Sequence, residues 1–427
     1  MSETGMRRVV GRWPIVALAL NDVVGSGIYL LPAAAVALLG PASLGAVVLA
    51  AIAVGLLVAC FAEAATYFDQ PGSAYLYTRT AFGDLAGFQV GWMTWWTRVA
   101  SIASLSAGFA QALAYLWPAA DQGTTRLGVV TVPLVALGVI NTVGVRSGAG
   151  TAVVLAIGKL VPLVIFVVVG VTVADPSLIG QQVVTDAGGL GAAALLLLYA
   201  YAGFENTAAA AGEFRRPQRD VPFALGVHLA VVTVLYVAVM AVVLAILPDA
   251  GSSTTPLADA ARRFLGGWGG PLLTVGAVVS IFGTQANTVF AAPRYLFALA
   301  RDGYGPSWLD AIHPRFRTPT VALWVTLAVA WPLSIHGSFV GLAALSVVAR
   351  LFAYIGTAAA IPVLRRQRTA PEGAFRLPGG VVIPLAAVAV GLGLAASASR
   401  ANLIAAAVAI VVGLGVYALR RPGASAG

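Results

Sequence analysis

Residues 14–38 read PIVALALNDVVGSGIYLLPAAAVAL. The run is long and apolar enough for one membrane helix, which needs roughly 20 mainly apolar residues. Yet Gly25-Ser26-Gly27 falls near its middle, directly after Asn21 and Asp22. Glycine costs a helix about 1 kcal/mol per residue relative to alanine. Unwinding here would free backbone N–H and C=O groups at mid-depth, which is tolerated only where they line a cavity or meet a ligand. The alternative is close helix packing through small residues, and spacing alone does not separate the two.

The rest of the chain has the same character. Eleven further segments qualify: 42–67, 85–117, 127–145, 151–174, 190–212, 221–247, 271–300, 318–336, 339–364, 378–398 and 401–419. Of the 427 residues 59% are hydrophobic and only 10% charged, against about 25% charged in an ordinary soluble domain. Mean hydropathy is +0.91. These values exclude a soluble multi-domain enzyme, a disordered chain and a fibrous one. Apolar runs of this length also exclude the short alternating strands of a membrane barrel. The fold class is therefore an all-α polytopic membrane protein with twelve transmembrane helices. The longest connectors lie around 68–84, 248–270 and 301–317, too short for a soluble domain. The first apolar stretch is too long for a cleavable signal peptide.

The net charge of +9 is not a nucleic-acid signature, because the arginines sit in short clusters between apolar runs. With the N-terminus inside, seventeen bases fall in inner segments and four in outer ones. The positive-inside rule then puts both termini in the cytoplasm. One cysteine excludes a disulfide framework and a thiolate metal cluster. His228, His313 and His336 are scattered without ligand spacing, so no metal site is expected. No phosphate-binding Gly-x-x-x-x-Gly-Lys-Ser/Thr loop is present, and no filter sequence of a channel. Neither an enzyme nor a channel is expected, and no cofactor. A nutrient sensor on a transporter fold is the remaining different class, though the tails 1–13 and 420–427 are short for an output domain.

Span 6 repeats the pattern of span 1. Tyr199-Ala200-Tyr201-Ala202-Gly203-Phe204-Glu205-Asn206 brings a glycine, an acid and hydrogen-bonding side chains to mid-span. Spans 1 and 6 each open a run of five. Interruptions at corresponding places in two halves point to a secondary transporter with inverted repeats. The expected units are 14–174 (spans 1–5), 190–364 (spans 6–10) and two peripheral helices in 378–419.

These residues resemble the amino acid–polyamine–organocation (APC) superfamily. The resemblance rests on Gly25-Ser26-Gly27-Ile28-Tyr29-Leu30-Leu31-Pro32, on Pro71 to Gly83, on Gly203-Phe204-Glu205 followed by Gly212-Glu213, Pro217, Arg219 and Pro222, and on Ala292-Pro293-Arg294 with Ala300-Arg301-Asp302-Gly303. Tyr29 stands where the superfamily usually has Phe, and Ser73 replaces a usual glycine. The resemblance implies a five-plus-five inverted-repeat core with broken helices 1 and 6, and a re-entrant loop after span 2. It also implies a substrate site between the breaks. There the carboxylate meets N–H groups near Ser26, Gly27 and Ile28, and the ammonium meets carbonyls near Val23, Val24, Tyr201 and Ala202. Helix-end electrostatics agree. Gly25 belongs to the same site, and Phe204 and Tyr201 flank the second break.

Lys159, in span 5, is the only lysine beside 24 arginines. Lysine, unlike arginine, can release its proton inside a protein. The resemblance implies proton coupling through a lysine at this place in some members; snorkelling to an interface is the alternative. Glu205 is expected to bridge the broken helix and gate it, and Asp22 to pair with Lys159 or Arg98, accept a proton or bind a cationic substrate. Arg98, in Trp95-Trp96-Thr97-Arg98, is a possible pocket charge that neutralises Asp22 or Glu205. Arg350 is similar, while Glu63 and Arg294 are expected to snorkel or anchor near span ends.

Val23, Val24, Ala200, Ala202 and Phe204 are small or apolar, which suits a neutral or hydrophobic amino acid. The expected function is secondary transport of such amino acids across the cytoplasmic membrane, with the proton as coupling ion. Amino acid exchange, or antiport of cationic amino acids or polyamines, are the alternatives. The implied partners are the small-molecule substrate and the lipid bilayer.

Overall fold

In the computed structural model the described residues are 12–68, 73–144, 149–185, 189–209, 217–369 and 374–419. Pro71, Gly72, Gly212, Glu213 and both tails named above, apart from Arg12 and Trp13, fall outside them. Among the described residues the regular structure is helical throughout.

Every apolar segment read from the sequence contains helix among its described residues. Span 1 is two helices, α1 (Arg12–Val23) and α2 (Ser26–Leu39). Then come α3 (Ser43–Thr66), α4 (Ser73–Phe82), α5 (Asp84–Leu113), α6 (Gly123–Val143) and α7 (Ala149–Val173). Span 6 is again split, into α8 (Gly189–Tyr201) and α9 (Phe204–Ala209). The second half continues with α10 (Pro217–Ile246), α11 (Pro256–Leu265), α12 (Gly269–Arg301), α13 (Thr320–His336) and α14 (Phe339–Gln367). The last two are α15 (Val382–Ala396) and α16 (Arg400–Ala418).

Among the described residues seven stretches are long and apolar enough to cross a membrane: Ser26–Thr66, Gly123–Val143, Leu155–Val173, Arg219–Ile246, Pro256–Arg301, Phe339–Gln367 and Arg400–Ala418. Others fall short for physical reasons. α5 carries the polar interior, α8 and α9 carry a break, and α13 and α15 are shorter. The chain is a multi-pass membrane protein. Side chains such as Val164, Val168, Val171, Leu392, Ile404 and Val411 are exposed on α7, α15 and α16, an apolar surface that only lipid would cover at no cost.

Two connectors hold more order than the sequence suggested. The stretch after span 2 contains the helix α4, where a re-entrant loop was expected, and Ser73 adopts a positive φ of 45° at its start. Tyr75 and Arg79 of α4 reach Asp302 beyond α12, with Arg79 Nη1 at 3.2 Å and Nε at 2.8 Å from Asp84. The 248–270 connector contains α11, which buries Leu257, Ala258, Ala260 and Ala261 and leaves Arg262 and Arg263 outside.

α3 packs on α10, α5 on α12, α6 on α13 and α2 on α8. The long helix α5 packs on both α12 and α14, and the two breaks face the cavity that these helices help to line.

Candidate functional site

The first break is at Val24–Gly25. Gly25 has φ −130° and ψ −150°, and α2 restarts at Ser26 without a side-chain cap. The N–H groups of its first turn therefore lack a side-chain acceptor, and a helix N-terminus in that condition attracts an anion. Gly27 answers the question that spacing left open. A Cβ there would stand 2.6 Å from Ala200 Cα, a backbone atom that cannot swing aside. Gly25 thus serves the break and Gly27 serves close packing of α2 on α8, so both readings of Gly-Ser-Gly hold, one at each glycine. The second break is at Ala202–Gly203. Gly203 has φ +128°, in the region that favours glycine, and a Cβ there would lie 3.0 Å from the Asp22 carbonyl oxygen. The two breaks meet at that contact.

Breaking α1 strands its last carbonyls, and side chains from other helices take them. The Lys159 ammonium of α7 donates to the Asn21 carbonyl. Ser280 Oγ of α12 donates to the Val24 carbonyl at 3.3 Å. Tyr236 Oη of α10 lies 2.9 Å from the Ala200 carbonyl and 3.4 Å from that of Val23, one hydroxyl between both breaks. Tyr29 Oη donates to the Lys159 carbonyl at 2.6 Å. Lys159 is only 3% exposed, so it does not snorkel. It occupies the negative end of the α1 dipole, where a cation is favoured. Asp22 forms no ion pair with it within 4.0 Å; the Asp22 carboxylate accepts from Asn287 Nδ2 at 3.5 Å.

Glu205 sits in the first turn of α9. Its Oε2 accepts from Gly203 N at 3.1 Å and from Tyr354 Oη at 3.2 Å, spanning the break as expected. Its Oε1 pairs with Arg350 Nη1 and lies 3.6 Å from Arg98 Nη2. Arg98 Nη2 also donates to Asn206 Oδ1 at 2.6 Å. Arg98 therefore neutralises Glu205 rather than Asp22.

A cavity opens between the breaks. Of the residues singled out from the sequence, Asp22, Val23, Gly25, Ser26, Gly27, Arg98 and Ala202 line it. The others do not. Val24 and Ile28 are packed in the core. Tyr201 turns to Tyr236, with ring centroids 5.1 Å apart, and Phe204 stacks on Tyr354 at 5.1 Å with Phe61 at its edge. Lys159 and Glu205 stand behind the wall, Lys159 on the Asn21 carbonyl and Glu205 on Gly203, Arg98 and Arg350, which line it. Sequence reasoning missed Ser101, Thr284, Asn287 and Thr288, placed Tyr199 and Asn206 at the second break without assigning them to the site, and gave Arg350 too little weight. Arg350 was legible as an intramembrane charge; the hydroxyls and amides were not separable from ordinary helix polar residues. Of the five small or apolar residues singled out from the sequence only Val23 and Ala202 reach the wall, where Leu105 and Ala291 join them, so polar and apolar side chains share it.

Comparison with known proteins agrees with this architecture. The family model described as amino acid permease matches residues 10–418. The chain is 26% identical to the branched-chain amino acid permease of Bacillus subtilis (strain 168), over 98% of this chain and 94% of that protein. It is 28% identical to a serine/threonine exchanger of the same organism, over 91% and 90%. It is 27% identical to a methylthioribose transporter, again from that organism, over 89% and 86%.

Proposed function

This chain belongs to the amino acid permease family of the APC superfamily, and from that premise we propose a secondary active transporter that moves an amino acid across the cytoplasmic membrane by alternating access, coupled to protons. Twelve crossings, both termini cytoplasmic, two inverted five-span repeats (14–174 and 190–364) and peripheral helices in 378–419 belong to the same reading. The observation that carries it is the cavity between two discontinuous helices, with an uncapped helix start on one side and a helix end on the other.

The substrate carboxylate is assigned to the N–H groups of the α2 first turn, near Ser26, Gly27 and Ile28. The ammonium is assigned to the α1 end, beside Asp22 and the carbonyl of Val23. A neutral or hydrophobic side chain was the expectation from sequence, and the likeness to a branched-chain amino acid permease favours it; the wall mixes polar and apolar side chains, so the assignment here fixes only the amino acid backbone groups.

Lys159 supports the coupling. Its proton and the Asn21 carbonyl form one contact between α7 and α1. Losing that proton would leave a neutral amine that still donates but no longer carries the charge favoured at the α1 end, which weakens the contact and links protonation to the helix that carries the substrate site. Exchange is the second reading. It is favoured by the likeness to a serine/threonine exchanger, and it would leave Lys159 a fixed charge holding the break.

Uptake of a labelled amino-acid panel into proteoliposomes, with and without an inward proton gradient, tests the proposal. Accumulation that needs the gradient and is lost in Lys159→Ala is the expected result. Uptake indifferent to the gradient but stimulated by internal amino acid would replace symport by exchange.

A further inference from the structure

We propose that the cavity selects amino acids whose side chain bears a second carboxylate, and that Arg98 and Arg350 bind that group. The proposal rests on the amino acid transport reading above and names its substrate class.

Three ionisable side chains line the cavity with formal charge, and two are guanidiniums: Arg98 and Arg350 against Asp22. Both arginines are buried, at 4% and 5% exposure. The acid that contacts them, among the described residues, is Glu205, and its single charge is divided between the two. Asp22 does not make up the difference, since no ion pair joins it to either arginine within 4.0 Å among the described residues. With Lys159 seated on Asn21, the four buried ionisable groups Arg98, Lys159, Glu205 and Arg350 and the partly buried Asp22 together carry one positive charge in excess.

The hydrogen bonding is incomplete on the same two residues. A guanidinium has five N–H donors in a planar fork that matches a carboxylate. Arg98 spends one nitrogen on Asn206 and Glu205. Arg350 spends two, on Glu205 and on Ser101 Oγ at 3.4 Å. The Nε of each is buried without a hydrogen-bond partner. Buried donors left unmade are costly, and charged ones more so.

A dicarboxylic amino acid resolves both deficits. Its ammonium goes to Asp22 and the α1 carbonyl end, its α-carboxylate to the uncapped α2 start, and its side-chain carboxylate to the spare donors of Arg98 and Arg350. A neutral amino acid leaves the surplus charge in place, and a cationic one adds to it. Glu205 then holds the two guanidiniums in position without saturating them.

The test is competition in proteoliposomes. L-glutamate, L-aspartate, their amides, L-leucine, L-serine and L-arginine are each offered as label and as competitor. Glutamate or aspartate should be taken up, and should compete about tenfold or more better than glutamine or asparagine, since one charge-assisted hydrogen bond is enough for a factor of that size. Arg98→Gln, checked for folding by its melting transition, should bring the acid-to-amide ratio near one; Arg98→Lys should retain part of it. A neutral or cationic amino acid that is taken up while both acids fail to compete overturns this inference and leaves amino acid transport standing. A folded protein that takes up no member of the panel overturns both. An unchanged acid-to-amide ratio in Arg98→Gln overturns the assignment of Arg98.

Discussion

Two buried carboxylates in this bundle meet arginine in opposite ways. Glu63, fully buried on α3, takes Nε and Nη2 of Arg365 at 2.7 Å each, the Leu377 N–H at 2.8 Å and the Tyr67 hydroxyl at 3.1 Å. One acid faces one base, and its lone pairs are full. Glu205 faces two bases, which keep unused donors beside a cavity. The first arrangement fastens one end of α3 to α14 and to the segment leading into α15. The second stores positive charge where a ligand would arrive. Balance marks a structural ion pair here, and imbalance marks a receptive one.

Breaking each acid in turn tests that contrast. Glu205→Gln should have the largest effect, because two buried guanidiniums lose their carboxylate. Removing one partner of a buried pair costs about 3–5 kcal/mol, and a fall of that size should appear in thermal unfolding in detergent. A loss under about 1 kcal/mol would show that the cluster is not holding the break. Glu63→Gln should fall near the lower bound, about 3 kcal/mol, since Arg365 retains the carbonyls of Leu377 and Gly380. Substrate binding per protein still folded should survive Glu63→Gln and not Glu205→Gln.

Gly27→Ala comes next. The added Cβ meets the backbone of Ala200, and overpacking of this kind costs about 1–3 kcal/mol. Denaturation midpoints should fall accordingly, and transport should fall further than stability because α2 and α8 are pushed apart. The smallest effect should come from Arg98→Gln, about 1 kcal/mol or less, because Arg350 and Glu205 then form a balanced pair. Arg350→Gln should cost more than Arg98→Gln, and equal melting temperatures for the two would erase the asymmetry drawn from their distances.

The apolar runs made the helices legible, and the glycines at 25 and 203 made the breaks legible, because lipid leaves the backbone few alternatives. Side-chain direction was not legible. Tyr201 and Phe204 flank a break, yet α8 and α9 turn them toward Tyr236 and Tyr354, away from the cavity. Nearness to a break in sequence does not set which way a ring points once the helix has been interrupted. Long-range partners were equally hidden. Nothing near Lys159 points to Asn21, Tyr236 sits in an ordinary aliphatic helix, and Glu63 finds Arg365 across 302 positions. The polar part of the wall was hidden for the same reason: α5, α12 and α14 supply most of it, and no local pattern assigns their hydroxyls and amides to the cavity.

Lys159 has a practical consequence. It is the chain's only side-chain amine, and it is sealed between α7 and α1. An amine-selective reagent therefore has a single side-chain target whose reaction rate follows the opening of that one contact. Trapping the protein with substrate, with a pH step or with neither, and then timing the label at this position, would turn a buried charge into a clock for the transport cycle.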